Sequence, residues 1–114
     1  MLRKEELRDD ALIIAEVGQN HQGDLDIARQ YIKVFADAGA DVIKFQTRNN
    51  KYLFSKDAYE APYDSENAFD NVYGLHREKL ELKPEWWPIL KEDCEMRGVK
   101  FTSTPFDEPS LELL

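Results

Sequence analysis

The sequence is short of the residues that declare a chemistry on their own. Cys94 is its one cysteine, which excludes a disulfide within the chain and fits a reducing compartment. Its two histidines, His21 and His76, stand apart, without an H-E-x-x-H pattern or a cysteine pair, so no metal site is complete here. Neither G-x-G-x-x-G nor G-x-x-x-x-G-K-[ST] occurs, and with them go the usual signals for a dinucleotide or a nucleoside triphosphate. Apolar residues never run far enough to span a bilayer, and Met1-Leu-Arg-Lys-Glu-Glu-Leu7 is too charged for a signal peptide. Positive charge is also scarce, with 15 Lys and Arg against 23 Asp and Glu and a net charge of -8. That balance argues against a nucleic-acid partner. It also leaves any anionic small molecule to be held by a few local donors, not by the overall field. The expectation is a soluble, cytoplasmic domain with neither nucleic acid nor membrane as partner.

What is present centres on Leu12-Ile-Ile-Ala-Glu-Val-Gly-Gln-Asn-His-Gln-Gly23. The apolar run Leu12, Ile13, Ile14 reads as a buried strand, with Glu16 near its end. A glycine-punctuated turn follows from Gly18 to Gly23, and Asp24 reads as the N-cap of a helix. A charge at the exit of a buried strand costs free energy unless it is paired or used. On a strand-loop-helix scaffold that exit is where ligands bind.

The rest of the chain repeats this unit. Residues 1–10 are a charged lead-in. Residues 11–114 hold three β/α units, with strands expected at Leu12–Val17, Asp41–Thr47 and Val99–Thr104. A first helix runs from Leu25 to Ala38, its inner face being Ala28, Tyr31, Ile32, Phe35 and Ala38, and Gly39 stops it. A second runs from Glu85 to Arg97 with Trp87, Leu90 and Cys94 on one face, Pro88 falling in its first turn. Asp107 caps a third helix, with Pro109 in its first turn, which is cut off at Leu114 without a stop signal. Between Arg48 and Leu82 the periodicity dissolves. The aromatics Tyr52, Phe54, Tyr59, Tyr63 and Phe69 predict that this stretch packs down, with one short helix within Glu66–Arg77. Alternating elements imply a parallel α/β sheet. Two architectures fit: an open doubly wound sheet, or the N-terminal β-α units of a (β/α)8 TIM barrel, incomplete in this chain because a whole barrel takes about 250 residues.

Strand parity locates the chemistry. In the second strand Val42, Lys44 and Gln46 share one face and Ile43 and Phe45 the other. Glu16 has the parity of Leu12 and Ile14, and Thr102 and Thr104 share a face of the third strand. Three successive strands thus turn polar at the same end, which in a barrel builds the substrate mouth. Blander readings stand beside this one. Glu16 and Lys44 pair between strands without further role, the threonines serve as strand formers, and His21 is a hydrogen-bonding loop residue.

Ile14-Ala-Glu-Val-Gly-Gln-Asn-His-Gln-Gly23, Ala38-Gly-Ala-Asp-Val-Ile-Lys-Phe-Gln-Thr47, Tyr73-Gly-Leu-His-Arg-Glu-Lys-Leu-Glu-Leu82 and Phe101-Thr-Ser-Thr-Pro-Phe106 together resemble, in order and spacing, the start of the N-acetylneuraminate synthase family. Its members include legionaminate and pseudaminate synthases and spore-coat relatives. The resemblance implies a TIM barrel followed by a small antifreeze-like domain in a homodimer. It implies a transferase that condenses phosphoenolpyruvate with an N-acylated hexosamine such as N-acetylmannosamine, giving a nine-carbon 2-keto sugar acid and phosphate. Carried over by position, Lys44 and Thr104 match phosphoenolpyruvate-binding residues. Glu16 and Gln46 match catalytic residues beside the metal and sugar. The divalent cation, Mn²⁺ or Mg²⁺, takes its ligands from outside this chain, so the isolated 114 residues are expected to be inactive. Gln19 departs from the family in a turn position that is often apolar. Two alternatives remain: another phosphoenolpyruvate-condensing barrel of the 3-deoxy-keto acid type, or a non-catalytic truncated fragment that needs a partner chain.

Overall fold

In the computed structural model, which describes residues 11–114, three parallel strands lie side by side in the order β1-β2-β3. They are β1 (Ile14–Gly18), β2 (Val42–Thr47) and β3 (Lys100–Pro105). The lead-in, residues 1–10, lies outside the described residues. Two long helices cover one face of the sheet, α1 (Leu25–Asp37) and α5 (Trp87–Met96), the latter entered through a 3-10 turn at Pro84–Trp86. Ile43 and Phe45 of β2 project into that layer and are fully buried against Ala28 and Ile32 of α1 and Leu90 and Cys94 of α5. Phe45 meets Trp87 edge-on, ring centroids 5.8 Å apart, a geometry aromatic pairs favour beyond their area burial. Arg29 of α1 joins Asp93 of α5 through two hydrogen bonds of 2.7 and 3.2 Å, fixing the helices side by side.

The predicted elements survive with ends moved by a residue or two. β1 starts at Ile14 instead of Leu12, and only one face of it is buried: Val17 is enclosed while Leu12 and Ile14 are 64% and 53% exposed. Leu12 and Ile14 therefore line an open face. Asp24 caps α1, its carboxylate accepting from the Ile27 amide. Asp107 caps α6 (Glu108–Leu113), which carries Pro109 in its first turn.

The irregular stretch holds more structure than its pattern predicts. It folds into α2 (Asn50–Leu53), α3 (Lys56–Glu60) and α4 (Tyr73–Lys79), closed by a Pro62–Val72 bridge. The first two are single turns capped by Asn49 and Ser55, too short to leave a helical period in the sequence. The expected helix is present but displaced toward Lys79. The aromatics do pack down: Tyr73 lies within 5.4 Å of both Phe54 and Tyr63, centroid to centroid, and His76 within 4.4 Å of Tyr63. Gly74 admits this only because it lacks a side chain, since a Cβ there would stand 2.2 Å from the Tyr59 ring.

Candidate functional site

The uncovered face of the sheet carries the polar residues, at the C-terminal ends of its strands. Strand register sets them in two rows. Glu16 lies opposite Lys44 and Lys44 opposite Thr102, forming one row across all three strands. Gln46 lies opposite Thr104 in the next row. Lys44 thus projects away from the helix layer, on the face opposite Ile43, and Thr104 stands one row beyond it instead of beside it. On the β1 side the register breaks between Glu16 and Gly18, and Gly18 comes to lie opposite Phe45. A Cβ at Gly18 would stand 3.4 Å from both Glu16 Oε1 and Gln46 Nε2, and its φ of +59° suits glycine. A Cβ would therefore only touch the two side chains, and it is the positive φ that favours glycine here.

Lys44 Nζ sits 3.6 Å from Glu16 Oε2, with the two side chains 38% and 45% exposed. A charge-assisted hydrogen bond would be about 2.7–2.9 Å long. The pair is therefore loose, and the ammonium keeps donors free for an anion. Gln46 is more firmly held: its Oε1 accepts from Arg48 Nη1 at 2.9 Å. Arg48 lies flat over the Phe106 ring, 3.7 Å from its centroid. Burial, and then the nearby charge of Arg77, hold the Arg48 guanidinium below its usual pKa. Asp107 ties the exits of β2 and β3 together, its Oδ2 accepting from the Asn49 amide at 2.7 Å.

A second network adjoins this one and draws on three segments. Gln19, in the turn after β1, donates through Nε2 to Glu81 Oε1 at 2.7 Å and accepts from Arg77 Nη2 at 2.7 Å. Burial pushes the Glu81 carboxyl up to about 7, against the opposing pull of Arg48, Gln19 and Arg77. Glu81 also borders a cavity of about 320 Å³ at the exit of β2, shared with Thr47, Asn50 and Ser110. The turn itself is tightly seated, because Gly23 lies so close to Lys79 that a Cβ there would stand 2.1 Å from its carbonyl oxygen.

His21 is buried beneath that turn. Its Nδ1 accepts from the Gly23 amide at 2.9 Å, and burial pulls its pKa down to about 4. His76 likewise accepts through Nδ1, from the Phe69 amide at 3.1 Å, within the aromatic cluster. Both are hydrogen-bonded loop and helix residues in this structure. Among the described residues, no three His, Cys, Asp or Glu side chains come together.

Glu16, Lys44, Gln46, Thr102 and Thr104 thus share the face that strand parity assigns to them. Sequence reasoning missed Arg48, Arg77 and Glu81, and noted Gln19 without a role for it. Arg77 and Glu81 sit in the stretch without periodicity, 58 and 62 residues from the glutamine they bind.

The family model described as the NeuB family matches residues 31–114. The chain is 40% identical over 102 residues to human N-acetylneuraminate-9-phosphate synthase, a match covering 90% of this chain and 28% of that protein. It is 40% identical over 104 residues to N,N'-diacetyllegionaminic acid synthase of Campylobacter jejuni, covering 90% of this chain and 31% of the relative. The solved structure of N-acetylneuraminic acid synthetase from Leptospira borgpetersenii superposes with a TM-score of 0.69 at 34% identity, over 90% of this chain and 32% of that one. The chain therefore spans less than a third of the length of these relatives.

Proposed function

The chain belongs to the NeuB family of sialic-acid-type synthases, and from that premise we propose that the protein carrying it condenses phosphoenolpyruvate with an N-acylated hexosamine in its open-chain aldehyde form. The methylene carbon of phosphoenolpyruvate bonds to the aldehyde carbon, whose oxygen takes up a proton, water adds at the phosphate-bearing carbon, and that carbon's bond to the phosphate oxygen breaks, leaving a 2-keto sugar acid and inorganic phosphate. The observation that carries this reading is the row Glu16–Lys44–Thr102 with Gln46 and Thr104 beyond it, at the exits of three parallel strands. Phosphoenolpyruvate is a compact polyanion on a protein of net charge -8, so it needs a local cation with spare donors. Lys44 suits that role, and Thr104 adds a hydroxyl one row further on. In this reading Gln46, its amide held by Arg48, and Glu16 serve the aldehyde oxygen as it takes up charge and a proton.

A divalent cation, Mn²⁺ or Mg²⁺, belongs to the proposal as the group that would polarise that aldehyde. Glu16 is the only carboxylate in the two rows, so these residues do not make up a site for it, and its ligands are proposed to come from outside this chain. The test is phosphate release by the protein carrying this segment, with phosphoenolpyruvate and a panel of N-acylated hexosamines and Mn²⁺. Release that requires both substrates, with a product of matching mass, supports the reading. Release that is indifferent to the sugar overturns it.

A further inference from the structure

The Glu81 network joins the segments that present the site, yet none of its members lies in either row of the site. Glu81 accepts from Gln19, which belongs to the turn directly after Glu16 and Gly18. Arg77 of α4 holds the other end of the same amide. Arg48 stands close enough to Glu81 to act on its carboxyl, and its guanidinium holds Gln46. One carboxylate therefore connects the turn after β1, the exit of β2 and the helical excursion between them. The turn it grips has well-defined internal bonds: Asn20 N–H to Val17 O, Gln22 N–H to Gln19 O, and Gly23 N–H to His21 Nδ1.

We propose that Glu81 is a positioning residue for the site: through Gln19 it clamps the turn after β1, and beside Arg48 it sets that turn against the exit of β2, so that Glu16 and Gln46 are held in place. The positioning role rests on the function proposed above; the clamp itself does not. The charged groups that face Glu81 are Arg48 from the exit of β2 and Arg77 from α4, with Glu78 and Lys83 on the wall of the shared cavity. Its ionised form is the one that the amide of Gln19 and the two guanidinium groups favour. The clamp should therefore tighten as Glu81 ionises near neutral pH. Breaking one bond in it should loosen the turn on the order of tenfold, as the loss of a hydrogen bond to a charged acceptor does.

The experiment is amide hydrogen exchange of the segment 17–24 in the full protein, between pH 6 and 8 and corrected for intrinsic rates, together with steady-state kinetics. Gln19→Ala and Glu81→Ala should each speed exchange of that segment about tenfold at pH 8 and lower kcat. Glu81→Gln keeps an acceptor oxygen for Gln19 but cannot ionise. It should keep part of the protection and lose the rise in protection that the wild type shows from pH 6 to 8. Unchanged exchange in Gln19→Ala, or the same pH response in wild type and Glu81→Gln, would overturn the clamp. Altered exchange with unaltered kcat would overturn the positioning role. A wild type that condenses nothing defeats the proposed function, while the exchange data still decide the clamp.

Discussion

Replacing Lys44 by alanine in the protein that carries this segment separates a substrate-binding cation from a structural one. As scaffolding, Lys44 pairs with Glu16 at 3.6 Å, with both side chains more than a third exposed. Two unit charges at that separation attract by about 1 kcal/mol in water. Partly exposed pairs return about 0–1 kcal/mol net, once side-chain ordering and screening are set against the attraction. Such a loss moves Tm by no more than about 2–4 °C in a domain of 150–250 residues. As a ligand for phosphoenolpyruvate, the same ammonium makes a charge-assisted contact worth about 1.5–3 kcal/mol, on the order of ten- to a hundredfold in affinity.

The two roles therefore differ in where the loss appears. Lys44→Ala should raise KM for phosphoenolpyruvate ten- to a hundredfold, by these magnitudes, and leave KM for the sugar nearly unchanged. Thermal melts on the same preparation should stay within the few degrees allowed to the ion pair. Glu16→Gln, which dissolves the same pair while sparing the ammonium, should reproduce the small Tm shift without weakening phosphoenolpyruvate. A destabilised Lys44→Ala protein with an unchanged KM for phosphoenolpyruvate would refute the reasoning and leave Lys44 as a strut between β1 and β2.

Three further outcomes follow from the geometry. Gly23→Ala should destabilise by about 1–3 kcal/mol in denaturant melts, since it adds a Cβ against the Lys79 carbonyl at a φ of +74°, whereas Gly39→Ala, with open space around it, should show only the smaller conformational cost. His21 stays neutral in the folded chain down to about pH 4 but takes up a proton near 6.5 when unfolded, so between those values the unfolded state binds more protons and stability falls as pH falls. Melts from pH 7 to 4 should show that loss for wild type and a shallower one for His21→Asn, which keeps an acceptor for the Gly23 amide. The 114 residues alone should release no phosphate from phosphoenolpyruvate and N-acetylmannosamine, because Glu16 and Lys44 stand open to water that would screen every charge in the site.

The parts of this molecule that a reader of its sequence can find are those fixed by a short period. Alternation along β2 separates Lys44 and Gln46 from Ile43 and Phe45, and the buried layer falls where that alternation puts it. The spacing of Trp87, Leu90 and Cys94 finds the inner face of α5 for the same reason. The residues around Glu81 obey no such rule. Their partners are brought together by a fold of single-turn helices whose ends are set by caps and aromatic contacts, so sequence distance carries no information about which side chains meet. One signal was nevertheless available. Glu81 stands between Leu80 and Leu82, in a stretch whose aromatics already predicted that it packs down, and Leu82 is buried. A carboxylate drawn inward with its neighbours must be paired or neutralised, which is the argument that singled out Glu16. Applied to Glu81 it demands donors from elsewhere in the chain, and the glutamine at position 19, in the polar turn after β1, is a residue that can meet the demand. Two polar residues on separate segments are thus the two ends of one hydrogen bond.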